Sequence, residues 1–236
     1  MARRTVCLSS GGLDSTTALA RCVERGDAIT SLTFDYGQRH RREVEAARHI
    51  ARHYDIADHR IISLDLGQVG GSSLTADLPV PEDRPPEEIV AGIPSTYVPF
   101  RNSIFLAFAT AVAEVVGAES IVLGINHLDY SGYPDCRPEY MEAFQQVIRL
   151  GSRAGVEGQA PRLEAPLVHL DKAGIVREAV RLRVPLELTW SCYHGRALAC
   201  GRCDSCLLRL KGFAEAAATD PLPYEPLPAR AVGRRQ

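Results

Sequence analysis

Two clusters in this 236-residue sequence carry side chains and spacings fit for chemistry. The first is Ser9-Ser10-Gly11-Gly12-Leu13-Asp14-Ser15, followed by Thr16, Thr17, Ala18 and Leu19. Adjacent glycines let backbone N–H groups turn toward a guest, the hydroxyls add donors, and a helix beginning there adds partial positive charge. That combination suits a phosphate or pyrophosphate. No Gly-Lys-Ser/Thr follows, which separates it from the triphosphate loop of kinases and GTPases, and the G-x-G-x-x-G spacing of dinucleotide sites is absent. A plain tight turn with Asp14 capping a helix is the bland alternative. The place of the string, after an apolar run and before a helical pattern, favours the anion site.

The second cluster is Cys192, Cys200, Cys203 and Cys206, two overlapping C-x2-C units with one cysteine upstream. Four thiolates at these spacings satisfy tetrahedral zinc and leave no open position, so the site is structural. An iron–sulfur cubane is the rival, and zinc is favoured. The other three cysteines are scattered, and an odd total of seven argues against a disulfide framework.

The elements that must position these clusters follow from patterning. Thr5–Leu8, Ile29–Phe34 and His59–Leu66 read as strands, separated by helices from Ser15 and over Arg39–Tyr54. This βαβαβ run predicts a parallel sheet that places the phosphate loop at its carboxyl edge. The stretch 67–99, with six prolines, reads as a long irregular loop of functional or disordered character. A helix over Asn102–Val116, a buried strand over Ser120–Ile125, a helix from Pro138 and a possible strand over Leu163–Val168 follow. A helix over Asp171–Arg183 capped by Asp171 and a last helix over roughly Ser205–Ala217 complete the set. The expected division is an α/β domain over 1–186, a zinc-binding region over 187–218 and a frayed tail over 219–236. A net charge of −2 offers no bulk attraction to nucleic acid, so the basic helix Arg39–Arg48 reads as a solvated face. The apolar run behind Met1–Arg4 ends after Leu8, too short for a secretion signal, and no stretch approaches a membrane span. A cytoplasmic protein is expected.

Three further strings lie at strand ends or in loops: Phe34-Asp35-Tyr36-Gly37-Gln38-Arg39-His40, Tyr97-Val98-Pro99-Phe100-Arg101-Asn102, and Asp129-Tyr130-Ser131-Gly132-Tyr133-Pro134-Asp135-Cys136-Arg137. Each alone could be solvated loop polarity. The Ser10–Ser15 string resembles the signature of the N-type ATP pyrophosphatases, the PP-loop superfamily. All the strings together, with Thr189–Tyr193 and Cys206–Arg209, resemble the 7-cyano-7-deazaguanine synthases of queuosine-precursor synthesis. The likeness runs from Val6 to about Phe213.

This resemblance implies a Rossmann-like core of the adenine nucleotide alpha hydrolase type with a C-terminal zinc-bound helical region. It implies ATP-dependent conversion of 7-carboxy-7-deazaguanine and ammonia to the nitrile, by way of the amide, with AMP and pyrophosphate released. Ser9 through Leu19 would hold ATP, Asp14 through Mg2+, while Lys172 and Arg209 would neutralise phosphate charge. Arg101, Asp129, Tyr133 and Asp135 would bind the deazaguanine acid, and Cys136, with no paired histidine, would be pocket wall. A homodimer without nucleic-acid or membrane partners is implied. The chain departs from the family pattern at Ser9 and at Phe100, where a glycine is often found. A tRNA-modifying PP-loop enzyme is the alternative within the fold, and a non-catalytic zinc-knuckle nucleic-acid-binding protein the alternative outside it.

Overall fold

The computed structural model describes residues 1–89, 91–126 and 132–226. Short apolar runs become five parallel strands: β1 (Arg4–Leu8), β2 (Ala28–Asp35), β3 (Asp58–Ser63), β4 (Ser120–Leu123) and β5 (Arg162–Glu164). Their order is β3-β2-β1-β4-β5, with Val6 opposite Thr30 on one side and Ile121 on the other. Side chains alternate across the sheet with the period of two that a strand imposes. Val6, Leu32, Ile121 and Leu123 fill one core, and Cys7 and Val122 the opposite one.

The helices are α1 (Leu13–Glu24), α2 (Arg42–His53), α3 (Pro86–Ile89), α4 (Arg101–Val116), α5 (Pro138–Gly151), α6 (Arg153–Val156), α7 (Lys172–Arg181) and α8 (Asp204–Glu215). Leu106 and Ala109 of α4 and Ile148 of α5 cover the first face; α1, α7, Ile50 of α2 and Phe213 of α8 cover the second. Each fully buried Leu or Ile contributes about 1.5–3 kcal/mol to this packing. No helix among the described residues is long and apolar enough to cross a membrane. The chain lays β1, β2 and β3 outward, then returns to place β4 on the other flank of β1. The crevice at the carboxyl ends of β1 and β4 is therefore the topological switch point, where open α/β sheets bind ligands.

Several elements differ in extent from the sequence reading. Helix α2 begins at Arg42, because Gly37 turns with φ +83° and the Arg39 N–H is drawn to the Leu74 carbonyl at 3.2 Å. Strand β3 stops at Ser63, where the Asp65 carboxylate caps a single 3-10 turn over Leu66–Gln68. The stretch 67–99 is not a loose excursion. Leu74 and Val98 enter the first core, and Glu82 makes a β-bridge with Cys203, so this segment ties the sheet to the cysteine cluster. The segment from Pro221 also packs: Leu222 is buried against the cluster, and the Tyr224 hydroxyl donates to Asp220 at 2.7 Å. Proline content alone suggested a frayed tail there.

Candidate active site

The phosphate loop owes its shape to backbone packing. Gly11 adopts φ +80°, and a Cβ there would fall 2.5 Å from the Ala47 nitrogen and 2.6 Å from the Glu43 carbonyl of α2. From the other side, a Cβ on Gly124, just beyond β4, would fall 2.5 Å from the Asp14 carbonyl. Both positions require glycine. The N-cap of α1 is Gly12, which supplies no side-chain cap, so the N–H groups of the first turn stay open. Asp14 sits inside that turn, which removes the capping role the bland reading gave it. Ser10 and Ser15 hydroxyls meet at 2.9 Å beside these donors, forming a nest for an anion.

Ser9, Ser10, Gly12, Leu13, Asp14 and Ser15 line a cavity of about 290 Å³. Gly11 supports them from behind. Thr16 and Thr17 are buried with hydroxyls donating to the carbonyls of Gly12 and Leu13, and Ala18 and Leu19 lie in the second core. Those four side chains do not line the cavity.

Lys172, the first residue of α7, donates from Nζ to both Asp14 oxygens, at 2.9 and 2.7 Å. Asn126 approaches the same carboxylate at 3.4 Å. Behind the lysine stands Gly212 of α8, where a Cβ would lie 2.3 Å from Lys172 Cγ. A glycine inside a helix costs about 1 kcal/mol in propensity, and here it permits that approach. Arg209 also lines the cavity, yet its guanidinium is engaged. It pairs with Asp220 at 2.8 and 2.9 Å and donates to Thr189, Ser191 and the Leu186 carbonyl.

The other end of the cavity is aromatic. Phe34 and Phe105 stack at 4.0 Å, and the Arg101 guanidinium lies over Tyr36 and Phe105 while donating to the Tyr36 hydroxyl at 3.1 Å. Tyr133 lines this end, its hydroxyl 3.0 Å from Thr96. Asp135 does not line it: buried, it accepts from the Asn102 N–H at 2.9 Å at the start of α4. Asp129 lies outside the described residues. Cys136 is a wall residue whose burial pushes its thiol up to about 12, which suits no nucleophile. Phe100 is largely exposed and stands outside the wall.

The cavity also holds residues that pattern reading passed over, notably Glu43, Asn126 and Trp190. Glu43 hides in a basic helix, in the run Arg41-Arg42-Glu43, where only packing reveals that it turns inward. Burial pushes its carboxyl up to about 7, with Arg101 opposing. Trp190 donates its backbone N–H to the Gly11 carbonyl at 2.9 Å, fastening the approach to the cysteine cluster onto the phosphate loop.

The four clustered cysteines are buried, with all sulfurs within 4.8 Å of one another. Cys200 and Cys206 sulfurs stand 3.9 Å apart. A tetrahedral ion with metal–sulfur bonds of about 2.3 Å places its sulfurs at about 3.8 Å, so the cluster fits one metal ion. Thiolates on four different irons of a cubane would stand farther apart. Backbone N–H groups of His194 and Cys200 point at the Cys192 sulfur, and those of Arg202 and Cys203 at Cys200, each at 3.3–3.4 Å, as thiolate ligands require.

A glycine-serine loop at the switch point of a parallel sheet, joined to a four-cysteine metal knuckle, defines a PP-loop α/β protein. The family model described as "Queuosine biosynthesis protein QueC" matches residues 4–217, and the chain belongs to this family. It is 53% identical to the 7-cyano-7-deazaguanine synthase of Myxococcus xanthus over 95% of this chain and 98% of that one. Against the Kineococcus radiotolerans protein of the same name, identity is 55% over 95% of this chain and 99% of that one. The Nostoc punctiforme protein of that name is 50% identical over 94% and 99% respectively.

Proposed function

We propose that this protein makes 7-cyano-7-deazaguanine from 7-carboxy-7-deazaguanine and ammonia, using ATP to activate the substrate oxygen twice. The observation that carries this reading is the 53–55% identity, over nearly the full length of both chains, with proteins named for that product. The cavity supports it by joining an anion nest to an aromatic pocket of a size for a flat base.

In this reading the carboxylate oxygen attacks the α-phosphorus of ATP, the bond to the β-phosphate breaks, and pyrophosphate leaves. Ammonia then attacks the acyl carbon, and AMP departs with the oxygen, giving the amide. The amide oxygen attacks a second ATP in the same way. Loss of AMP and of the remaining N–H protons leaves the nitrile. The open N–H groups of Leu13, Asp14 and Ser15, with the Ser10 and Ser15 hydroxyls, bind the pyrophosphate as its charge develops. Lys172 exchanges its Asp14 partner for the phosphates, while Asp14 and the phosphates suit Mg2+, which supplies charge neutralisation when bound. Arg209 is a positioning residue that braces Thr189 and Ser191 beside the loop. Arg101 and Tyr133 face the substrate, Asp135 orders the start of α4, and zinc in the knuckle is structural.

Residues 1–186 form the catalytic unit, and 187–218, held by zinc, brace it. The oligomer is a homodimer and the setting cytoplasmic. The test is a product assay with purified protein, ATP, Mg2+, ammonium and the deazaguanine acid, read by chromatography and mass spectrometry. AMP and pyrophosphate forming with the nitrile, only when the acid is present, is the expected result. ATP binding without turnover of that acid would remove the substrate assignment and leave the phosphate site standing.

A further inference from the structure

Two carboxyl groups among the described residues line the cavity, Asp14 and Glu43. They differ in what they already hold. Asp14 is met twice by Lys172. Glu43 lies in the first turn of α2, which packs against the phosphate loop at Gly11 and thereby turns the side chain into the cavity. There it has neither a hydrogen bond nor an ion pair to any described residue. A small separate hollow shares Tyr36, Glu43, Leu74 and Tyr193 with the cavity, is otherwise lined by Gln38, Arg39 and His40, and includes no residue of the glycine-serine loop. Glu43 thus belongs to the end of the cavity away from the transferring phosphate.

Glu43 is half-buried against the cavity walls and has no donor among the described residues, so its oxygens are placed to accept from a ligand in the cavity. A carboxylate has two parallel acceptors and is best met by two adjacent N–H groups. Phe34, Tyr36 and Phe105 line this end with aromatic surface, which suits the face or edge of a planar ring. A 2-aminopurine-like lactam presents that pair, its ring N1–H beside its exocyclic amine. Asp135 cannot serve, since it accepts from the Asn102 N–H and stays outside the cavity wall.

We propose that Glu43 is the residue that selects the base, its carboxylate accepting from the N1–H and 2-amino groups of the deazaguanine ring. This rests on the substrate assignment above and deepens it. Arg101, whose charge faces Glu43 without an ion pair, keeps the carboxylate available as the donors arrive. Burial leaves the free acid near neutrality, so two N–H donors are enough to hold it ionised.

The experiment uses the full-length, metal-loaded protein and two substrates, 7-carboxy-7-deazaguanine and its analogue with hydrogen in place of the 2-amino group. The native protein is expected to prefer the amino compound by about a hundredfold in kcat/KM, the size of one lost hydrogen bond to a charged group. Glu43→Gln should cut that preference below about fivefold, raising KM for the amino substrate while KM for ATP stays within about twofold. Glu43→Asp, which keeps the carboxylate on a shorter arm, should retain part of the preference. Unchanged ATP KM and metal content show that the variants are folded. A Glu43→Gln protein that keeps the hundredfold preference, or loses only kcat, overturns the proposal. If the native protein turns over neither compound, the substrate assignment falls, and this inference with it.

Discussion

The two ends of the cavity handle charge in opposite ways. At the phosphate end, Asp14 and Lys172 satisfy each other at 2.7 Å, and the loop around them is jammed between α2 and the end of β4. At the base end, Glu43 and Arg101 lie in one pocket without forming an ion pair, and aromatic rings surround them. The first arrangement is a set of open N–H donors beside a lysine–aspartate pair, which the proposed function exchanges for phosphates. The second leaves a half-buried acid without a partner among the described residues, which a ligand carrying N–H donors would complete. Preorganisation serves the group that changes charge during reaction, and frustration serves the group that must discriminate.

The difference is tested most strongly by removing the metal. The knuckle reaches the phosphate end through Trp190, bonded to Gly11, and through α8, whose Gly212 abuts Lys172. Stripping the metal, or Cys200→Ser, should cost on the order of 5 kcal/mol or more. That lowers Tm by about 10–20 °C for a chain of this size. Metal analysis of the intact protein should return one zinc and no iron per chain. A stripped protein with native Tm and kcat would cut the link between knuckle and loop.

A milder probe is Gly212→Ala. Its Cβ must displace Lys172 Cβ and Cγ, at 2.9 and 2.3 Å, and meets the Lys172 carbonyl carbon at 3.1 Å, so α7 has to give way. Overpacking of this kind costs about 1–3 kcal/mol, offset in part by the better helix propensity of alanine. Misplacing Lys172 by about 1 Å should lower kcat about a hundredfold. KM for the deazaguanine acid, set at the other end, should hold. Equal damage to both KM values would mean that the two ends are not independent.

The glycine-serine loop and the cysteine cluster were legible in the sequence, and the inward turn of Glu43 was not. Ser10-Gly11-Gly12 and the four cysteines announce themselves because backbone geometry and metal coordination demand those residues at fixed local spacings. The parallel sheet was legible for the same reason, each strand being a local apolar run. Glu43 could not be read in this way. Its role depends on α2 packing against Gly11 and on Arg101 arriving from more than fifty residues away, neither of which a local pattern encodes. Asp135 misled in the converse sense: an acid in a polar string looks free until the fold hands it the N–H of Asn102. Arg209 was expected to face phosphates, and only Asp220, in a segment without periodicity, reveals its ion pair.

The cost of the unpartnered acid should itself be measurable through pH. Glu43 titrates near 7 when folded because burial disfavours its charge, against about 4.5 when unfolded. The folded state therefore holds more protons between those values, and stability falls as pH rises through the window. Glu43→Gln removes the group, so it should match the native protein at pH 4 and exceed it at pH 8 by about 1–3 kcal/mol. Denaturant melts at the two pH values check this. Parallel pH profiles for the two proteins would mean that Glu43 finds a partner in solution, and the contrast between the two ends would weaken.

The smallest expected effect concerns Phe100, next to Arg101 at the base end. Its φ of +58° is left-handed, which explains why a glycine fits this position, and its ring is 63% exposed. A side chain in that conformation costs about 1–2 kcal/mol. A glycine there would lose part of the gain, about 0.4–1 kcal/mol, to its freer unfolded chain. Phe100→Gly should thus raise stability by about 0.5 kcal/mol, or Tm by about 1–2 °C. Both KM values should stay within about twofold, since the ring is not part of the cavity wall. A rise in KM for the deazaguanine acid alone would place Phe100 over the bound base and extend the discriminating end of the cavity to its rim. A drop in Tm would show that the exposed ring contributes packing that outweighs its backbone strain.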